Sequence, residues 1–92
     1  IGACRADLGG FPDCRPAFLD LASLAIEAAI GREVYVRAPL MGLDKADILR
    51  QAATEDARQD LRRSWSCYRG DGPCGRCGAC VQRAAAFAGA GW

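Results

Sequence analysis

Apolar positions recur at helical spacing most clearly between Pro16 and Gly31. Phe18, Leu21, Ala22, Ala25 and Ala29 share one face, and Leu19, Leu24, Ile26 and Ile30 widen it. Only Asp20, Ser23 and Glu27 remain as a narrow polar stripe. The pattern predicts a helix over residues 17–30, with Pro16 in its first turn and Gly31 as its C-cap. A helix apolar around most of its circumference needs cover on several sides. Downstream, Val34, Tyr35 and Val36 predict one short strand over residues 33–37, and residues 38–43 form a linker. Asp44 offers an N-cap, with Asp47 in a capping-box-like position, to a helix running through Ile48 and Leu49 into Ala52 and Ala53. Residues 54–63 are charged and read as helical or irregular, with a solvated face. A last short helix is expected from Ala79 or Cys80 to Ala88, before Gly89. Residues 1–15, with Gly9 and Gly10 adjacent, read as a loop.

Those elements do not close on themselves. A lone strand cannot satisfy its own backbone hydrogen bonds. The apolar helix also asks for more cover than two other helices supply. The expectation is an α/β fold of which this chain is the C-terminal part. Residues 1–3 would then end a parallel strand and residues 4–15 form the loop after it, the position where open α/β sheets bind ligands.

Composition narrows the class. The chain has 92 residues, enough for one small domain at most. At 51% hydrophobic and 25% charged it is globular rather than disordered. A net charge of +1 provides no global steering toward nucleic acid or acidic membranes. No apolar run reaches the roughly 18–20 residues of a membrane span. The start, Ile-Gly-Ala-Cys, has neither an initiator Met nor a signal-peptide layout, so a longer parent chain is expected.

Six cysteines add the sharpest signal. Cys67, Cys74, Cys77 and Cys80 stand at C-x6-C-x2-C-x2-C spacing, which suits one tetrahedral ion. The chain has no His, so mixed Cys/His sites are excluded. Zinc is the first expectation, with an iron–sulfur cluster or disulfides as alternatives; the close Cys-x-x-Cys-x-x-Cys packing suits a metal knuckle better than a staple. Four thiolates leave no open coordination position, so the ion would be structural. A zinc–thiolate site favours a reducing, cytoplasmic setting. Gly70, Gly72 and Pro73 are expected to turn the loop, and Gly75 and Gly78 to relieve crowding. Arg69, Arg76 and Arg83 are expected to offset its negative charge.

A second loop gathers Asp7, Gly10, Phe11, Asp13, Cys14 and Arg15. It reads either as a small-molecule site, with Arg15 on an anion and an Asp on a purine-like base, or more plainly as Asp13 capping the next helix with Arg15 solvated. Cys4 and Cys14 lack metal spacing and read as small buried apolar groups. Trp65, Tyr68 and Phe11 either stack on a base or, as the plainer expectation, lie in the core.

The blocks Asp7-x-x-Gly10-x-Pro12-Asp13-Cys14-Arg15, Ala38-Pro39-Leu40 with Asp44-Lys45-Ala46, Ser66-Cys67-Tyr68 and Cys74-Gly75-x-Cys77-x-x-Cys80-x-x-Arg83 resemble the 7-cyano-7-deazaguanine synthase (QueC) family in order and spacing. The resemblance implies the C-terminal portion of a Rossmann-like adenine-nucleotide α-hydrolase (PP-loop ATP pyrophosphatase) fold, carrying a four-cysteine zinc-binding loop and a short C-terminal helix. Residues 1–63 would belong to the nucleotide-binding domain, with a substrate loop at 4–15, and residues 64–92 would form the zinc subdomain. The implied activity is that of an ATP-dependent ligase turning 7-carboxy-7-deazaguanine and ammonia into 7-cyano-7-deazaguanine, on the route to queuosine. Asp7, Gly10, Phe11, Asp13 and Arg15 would bind the deazapurine, and Cys67, Cys74, Cys77 and Cys80 the zinc. ATP and Mg2+ would be held mainly by an N-terminal half that carries a Ser-Gly-Gly-x-Asp-Ser loop absent here. A homodimer is implied; no membrane or direct nucleic-acid contact is.

The family pattern departs at Leu8, Gly9 and Phe11, where an aromatic, a Ser and a Tyr are usual. Lost hydroxyls beside a pocket change discrimination strongly. A relative that activates a deazapurine acid but uses another acceptor is therefore the first alternative. A free-standing zinc-ribbon interaction module is the second.

Overall fold

The computed structural model describes all 92 residues, which fold as two compact units, Ile1–Leu43 and Asp44–Trp92. They carry four α-helices and two 3-10 turns and no β-strand.

In the first unit, 3-10 turns at Arg5–Asp7 and Pro12–Cys14 lead into α1, Pro16–Ile30. Pro16 opens α1 because a first-turn residue has no intrahelical use for an N–H. Gly31 closes it at φ 71°, donating its amide to Glu27 at 2.9 Å. The cap expected from Asp13 does not form: Arg15 is the N-cap residue, in extended conformation, and Asp13 is held back in the preceding turn. The strand expected over residues 33–37 is not formed either. The segment has no ladder partner in these residues, and the Val36 amide donates instead to Ser23 Oγ at 2.9 Å. That hydroxyl in turn donates to Leu19 O at 2.8 Å. The α/β architecture is thus not visible in this stretch, which is helical. The apolar face of α1 stays open, as its circumference foretold: Leu19 is buried, whereas Leu21 and Leu24 are 66% and 61% exposed.

The second unit holds α2 (Lys45–Arg50), α3 (Glu55–Arg63) and α4 (Gly78–Ala90). Helix α2 stops at Arg50, short of Ala52 and Ala53, and Asp44 makes no side-chain cap bond. The charged segment resolves as a helix because Thr54 Oγ1 accepts the Ala57 amide at 3.2 Å, with Glu55 and Asp56 in the first turn and Arg62 and Arg63 in the last. Helix α4 continues through Gly89 to a left-handed Gly91 at φ 79°. Gly89 is not a stop; it is the contact with α2. A Cβ there would sit 3.2 Å from Ala46 Cβ. Lys45 Nζ reaches Gln82 Oε1 at 2.8 Å, and Arg50 donates to the Gly89 carbonyl, so α2 is pinned along α4. Leu49 and Ala86 are buried in this unit beside Cys67 and Cys80. Trp92 sits edge-on to Phe87, 5.7 Å between ring centroids, with Arg58 and Arg62 over its ring.

The aromatics expected in the core stay outside. Phe11, Trp65 and Tyr68 are all exposed, Tyr68 by 86%. They lie on loops with little core to enter. Trp65 satisfies its indole N–H locally, on Cys67 O at 2.7 Å. No helix is long and apolar enough to cross a membrane.

Candidate metal centre

The metal loop is built from short polar contacts rather than apolar packing. Gly75 at φ 72° turns the chain directly after Cys74, a conformation that costs a residue with a Cβ about 1–2 kcal/mol. The turn aims amides back at sulfur. Cys77 N–H donates to Cys74 Sγ at 3.3 Å, and Cys80 N–H donates to Cys77 Sγ at 3.5 Å. Cys77 is therefore also the N-cap of α4, and its sulfur lies at the positive end of that helix. Gly78, expected to relieve crowding, simply begins α4, with open space where its Cβ would be.

All four Sγ atoms of Cys67, Cys74, Cys77 and Cys80 lie within 4.8 Å of one another, and Cys74 and Cys80 are 4.0 Å apart. A tetrahedral ion with metal–sulfur bonds of about 2.3 Å sets sulfurs roughly 3.8 Å apart. The cage therefore fits a single structural zinc after a small contraction. It is too open for a disulfide, and none of the six cysteines is in one. A multi-iron cluster spreads its thiolates over separate irons and needs a wider cage.

The thiols do not ionise alike. Amides of Arg76 and Cys77 hold the Cys74 thiol down at about 6, and those of Arg69 and Cys74 lower that of Cys67. Cys80 goes the other way: the Gly75 amide pulls it down, but burial and the neighbouring thiols outweigh it and push it up to about 11. Thiols this close titrate as a set, one giving up its proton early and another keeping it late. The arginines expected to balance this charge act differently. Arg69 and Arg76 contribute backbone amides, and Arg83 turns its guanidinium to the carbonyls of Leu61, Arg62 and Ser64. Sequence reasoning missed the amide shell; its signal was Gly75 next to Cys74.

The substrate loop expected at residues 4–15 is folded upon Asp7. The Asp7 carboxylate accepts from Cys4 N–H at 3.0 Å and from Cys4 Sγ at 3.1 Å, and its carbonyl accepts the Gly10 and Phe11 amides at 3.3 and 3.0 Å. Cys4 is buried, as expected of a small apolar group, while Cys14 is half-buried. Arg15 is not simply solvated: its Nε donates to Leu8 O at 3.0 Å. Asp7, Gly10, Phe11 and Arg15 thus share one hydrogen-bonded loop, and Asp13 sits exposed on the adjoining turn.

Comparison with known proteins agrees with this assembly. A family model described as "Queuosine biosynthesis protein QueC" matches residues 1–91. Among similar curated proteins are the 7-cyano-7-deazaguanine synthases of Marinobacter nauticus, 40% identical over 95% of this chain and 39% of the relative, and of Laribacter hongkongensis, 43% identical over 98% of this chain and 40% of the relative. A third, from Xylella fastidiosa strain 9a5c, is 42% identical over 98% of this chain and 42% of the relative. The chain spans about two fifths of the length of these relatives. With the match running through both the Asp7–Arg15 loop and the four-thiol cage, this chain belongs to the QueC family.

Proposed function

We propose that this chain is the C-terminal part of an ATP-dependent carbon–nitrogen ligase that converts 7-carboxy-7-deazaguanine and ammonia into 7-cyano-7-deazaguanine. The observation that carries the reading is the 40–43% identity to named synthases over nearly the whole chain. Turning a carboxylic acid into a nitrile removes both carboxyl oxygens. Each is a poor leaving group, so each must be activated, which is the work ATP and Mg2+ would do. The Rossmann-like nucleotide-binding part, with its phosphate loop, would lie in the portion of the family's length that this chain does not span. Residues 1–63 would complete that domain, and residues 64–92 would form the zinc subdomain. The open apolar face of α1, with Leu21 and Leu24 more than half exposed, supports a domain that continues beyond these residues.

Within the chain, the loop held by Asp7 would line the deazapurine pocket. The Phe11 ring is free to stack on the base, Asp13 to accept from its donors, and the terminal nitrogens of Arg15 to pair with an anion while Nε holds Leu8. Zn2+ would be bound by Cys67, Cys74, Cys77 and Cys80. It would supply fold stability only, since four thiolates close its coordination shell. The enzyme would act as a cytoplasmic homodimer.

The test is incubation of the full-length protein with ATP, 7-carboxy-7-deazaguanine and ammonium, followed by mass spectrometry. Nitrile formation is expected. Consumption of ATP and acid without nitrile or its amide precursor would overturn the reading and favour an enzyme with another acceptor.

A further inference from the structure

The four thiols do not depend on the same scaffold. Cys74, Cys77 and Cys80 lie within the knuckle and the first turn of α4, where amide–sulfur bonds hold them. Cys67 arrives from the other side, three residues after Ser64 and with an irregular loop between it and Cys74. Where its sulfur lands depends on how the chain leaves α3. At that exit stands Arg83, one turn beyond Cys80 on α4. Its guanidinium donates to Leu61 O at 3.2 Å, Arg62 O at 2.8 Å and Ser64 O at 3.1 Å. These are carbonyls at and just past the end of α3, where helical donors run short; Leu61 O also accepts the Ser64 amide and hydroxyl. The guanidinium lies over the Phe87 ring, 4.1 Å from its centroid, so the fork is held flat and in place. From Ser64 the path to the sulfur is short, and the Trp65 indole N–H on Cys67 O stiffens it.

We propose that Arg83 is a positioning residue for Cys67: by clamping the end of α3 to α4, it decides whether the cage presents four sulfurs to a metal ion or three. The proposal rests on the reading of the cage as a divalent-metal site. A guanidinium suits this place better than an ammonium because its flat face lies on the Phe87 ring while one nitrogen, Nη2, makes all three contacts.

The test uses the full chain, with Co2+ as a spectroscopic probe and Zn2+ for affinity. In Arg83→Ala, metal affinity is expected to fall about 10–100-fold, as for other residues that orient ligands. The Co2+ spectrum is expected to lose thiolate charge-transfer intensity and shift toward a three-sulfur site with water. Arg83→Lys is expected to change in the same direction, and it carries the test if the alanine variant does not fold. In a Cys67→Ser background, Arg83→Ala is expected to cost no more than about twofold further, the limit of additivity error. An unchanged four-sulfur spectrum and affinity in the Arg83 variants would overturn the proposal. So would losses that simply multiply in the double variant, the result expected if Arg83 only stabilises helix packing. Failure of the unaltered chain to bind either metal would instead remove the metal reading itself.

Discussion

Gly89 gives the packing of α2 on α4 a quantitative test. An added Cβ would stand 3.2 Å from Ala46 Cβ, whereas carbon atoms prefer roughly 3.5–4.0 Å. The Gly89→Ala variant gains about 0.8–1 kcal/mol of helix propensity in α4 and requires α2 to retreat by a few tenths of an ångström. Helix α2 has only six residues but is pinned by Lys45 on Gln82 and by Arg50 on the Gly89 carbonyl. The two effects should nearly cancel. Gly89→Val puts two methyl groups on that Cβ and recovers only a few tenths of a kcal/mol of propensity, while overpacking of that kind costs about 1–3 kcal/mol. For a chain of this size each kcal/mol moves the melting temperature by about 4–8 °C. Ala46→Gly alone should cost up to about 1 kcal/mol of helix propensity in α2, but clearly less in the Gly89→Val background, with a coupling above about 0.5 kcal/mol. Thermal melts of the parent, the three single variants and the double variant, all metal-loaded and checked by urea titration, measure this. A Gly89→Val protein as stable as the parent, or purely additive substitutions, would refute the close approach of the two helices.

Other outcomes follow from the metal loop and the helix caps. Metal uptake at neutral pH should release protons, since Cys80, held up to about 11, must give up its proton to bind, and uptake should weaken as acidification approaches the value of about 6 at Cys74. In the metal-free fold the two thiols act in opposite directions: the lowered Cys74 stabilises it above the ordinary thiol range and loses that effect toward about 6, while the raised Cys80 stabilises it below that range and loses it toward about 11. Calorimetry in two buffers of different ionisation enthalpy measures the protons released on uptake, and their absence would contradict the assignment. Gly75→Ala should cost about 1–2 kcal/mol and loosen the knuckle, read as faster transfer of zinc to a chelator; an unchanged transfer rate would count against the amide shell. Thr54→Ala should lower stability by about 1 kcal/mol, whereas Thr54→Ser should not, as measured by urea denaturation.

The sequence disclosed what rests on local chemistry. Pro16 and Gly31 bracket α1 as read, because a first-turn proline and a left-handed glycine act within a few residues. The four-thiol cage was legible for the same reason: three of its thiols share one knuckle, and spacing alone brings them together. Misreadings occur where distant residues decide. Gly89 looked like a helix stop until Ala46, far off in sequence, made it a contact. Residues 33–37 have strand composition, but a strand is made by its neighbour, and here Ser23 takes the Val36 amide. Asp13 lost its capping role because Pro12 and Cys14 close a turn around it. The role of Arg83 was invisible because the α3 carbonyls it serves lie about twenty residues upstream.

The Cys77 sulfur is the N-cap of α4 and, in the proposed zinc site, would have a second duty as metal ligand. Starting a helix is its expensive step, since a first turn must be fixed before bonds accumulate. The knuckle fixes that turn from outside, with Cys80 N–H already on sulfur. At thirteen residues, α4 is near the length at which isolated helices are marginal in water. An ion held by the four thiols would thus serve as the nucleus of the helix, and metal loading and helix content would become a single variable. Far-UV circular dichroism followed through a zinc titration should rise and saturate with the first equivalent; helicity unaffected by the metal would separate the two duties. Oxidants that take the Cys77 thiol would, by the same linkage, unwind α4 from its first turn and so loosen the helix that carries Arg83.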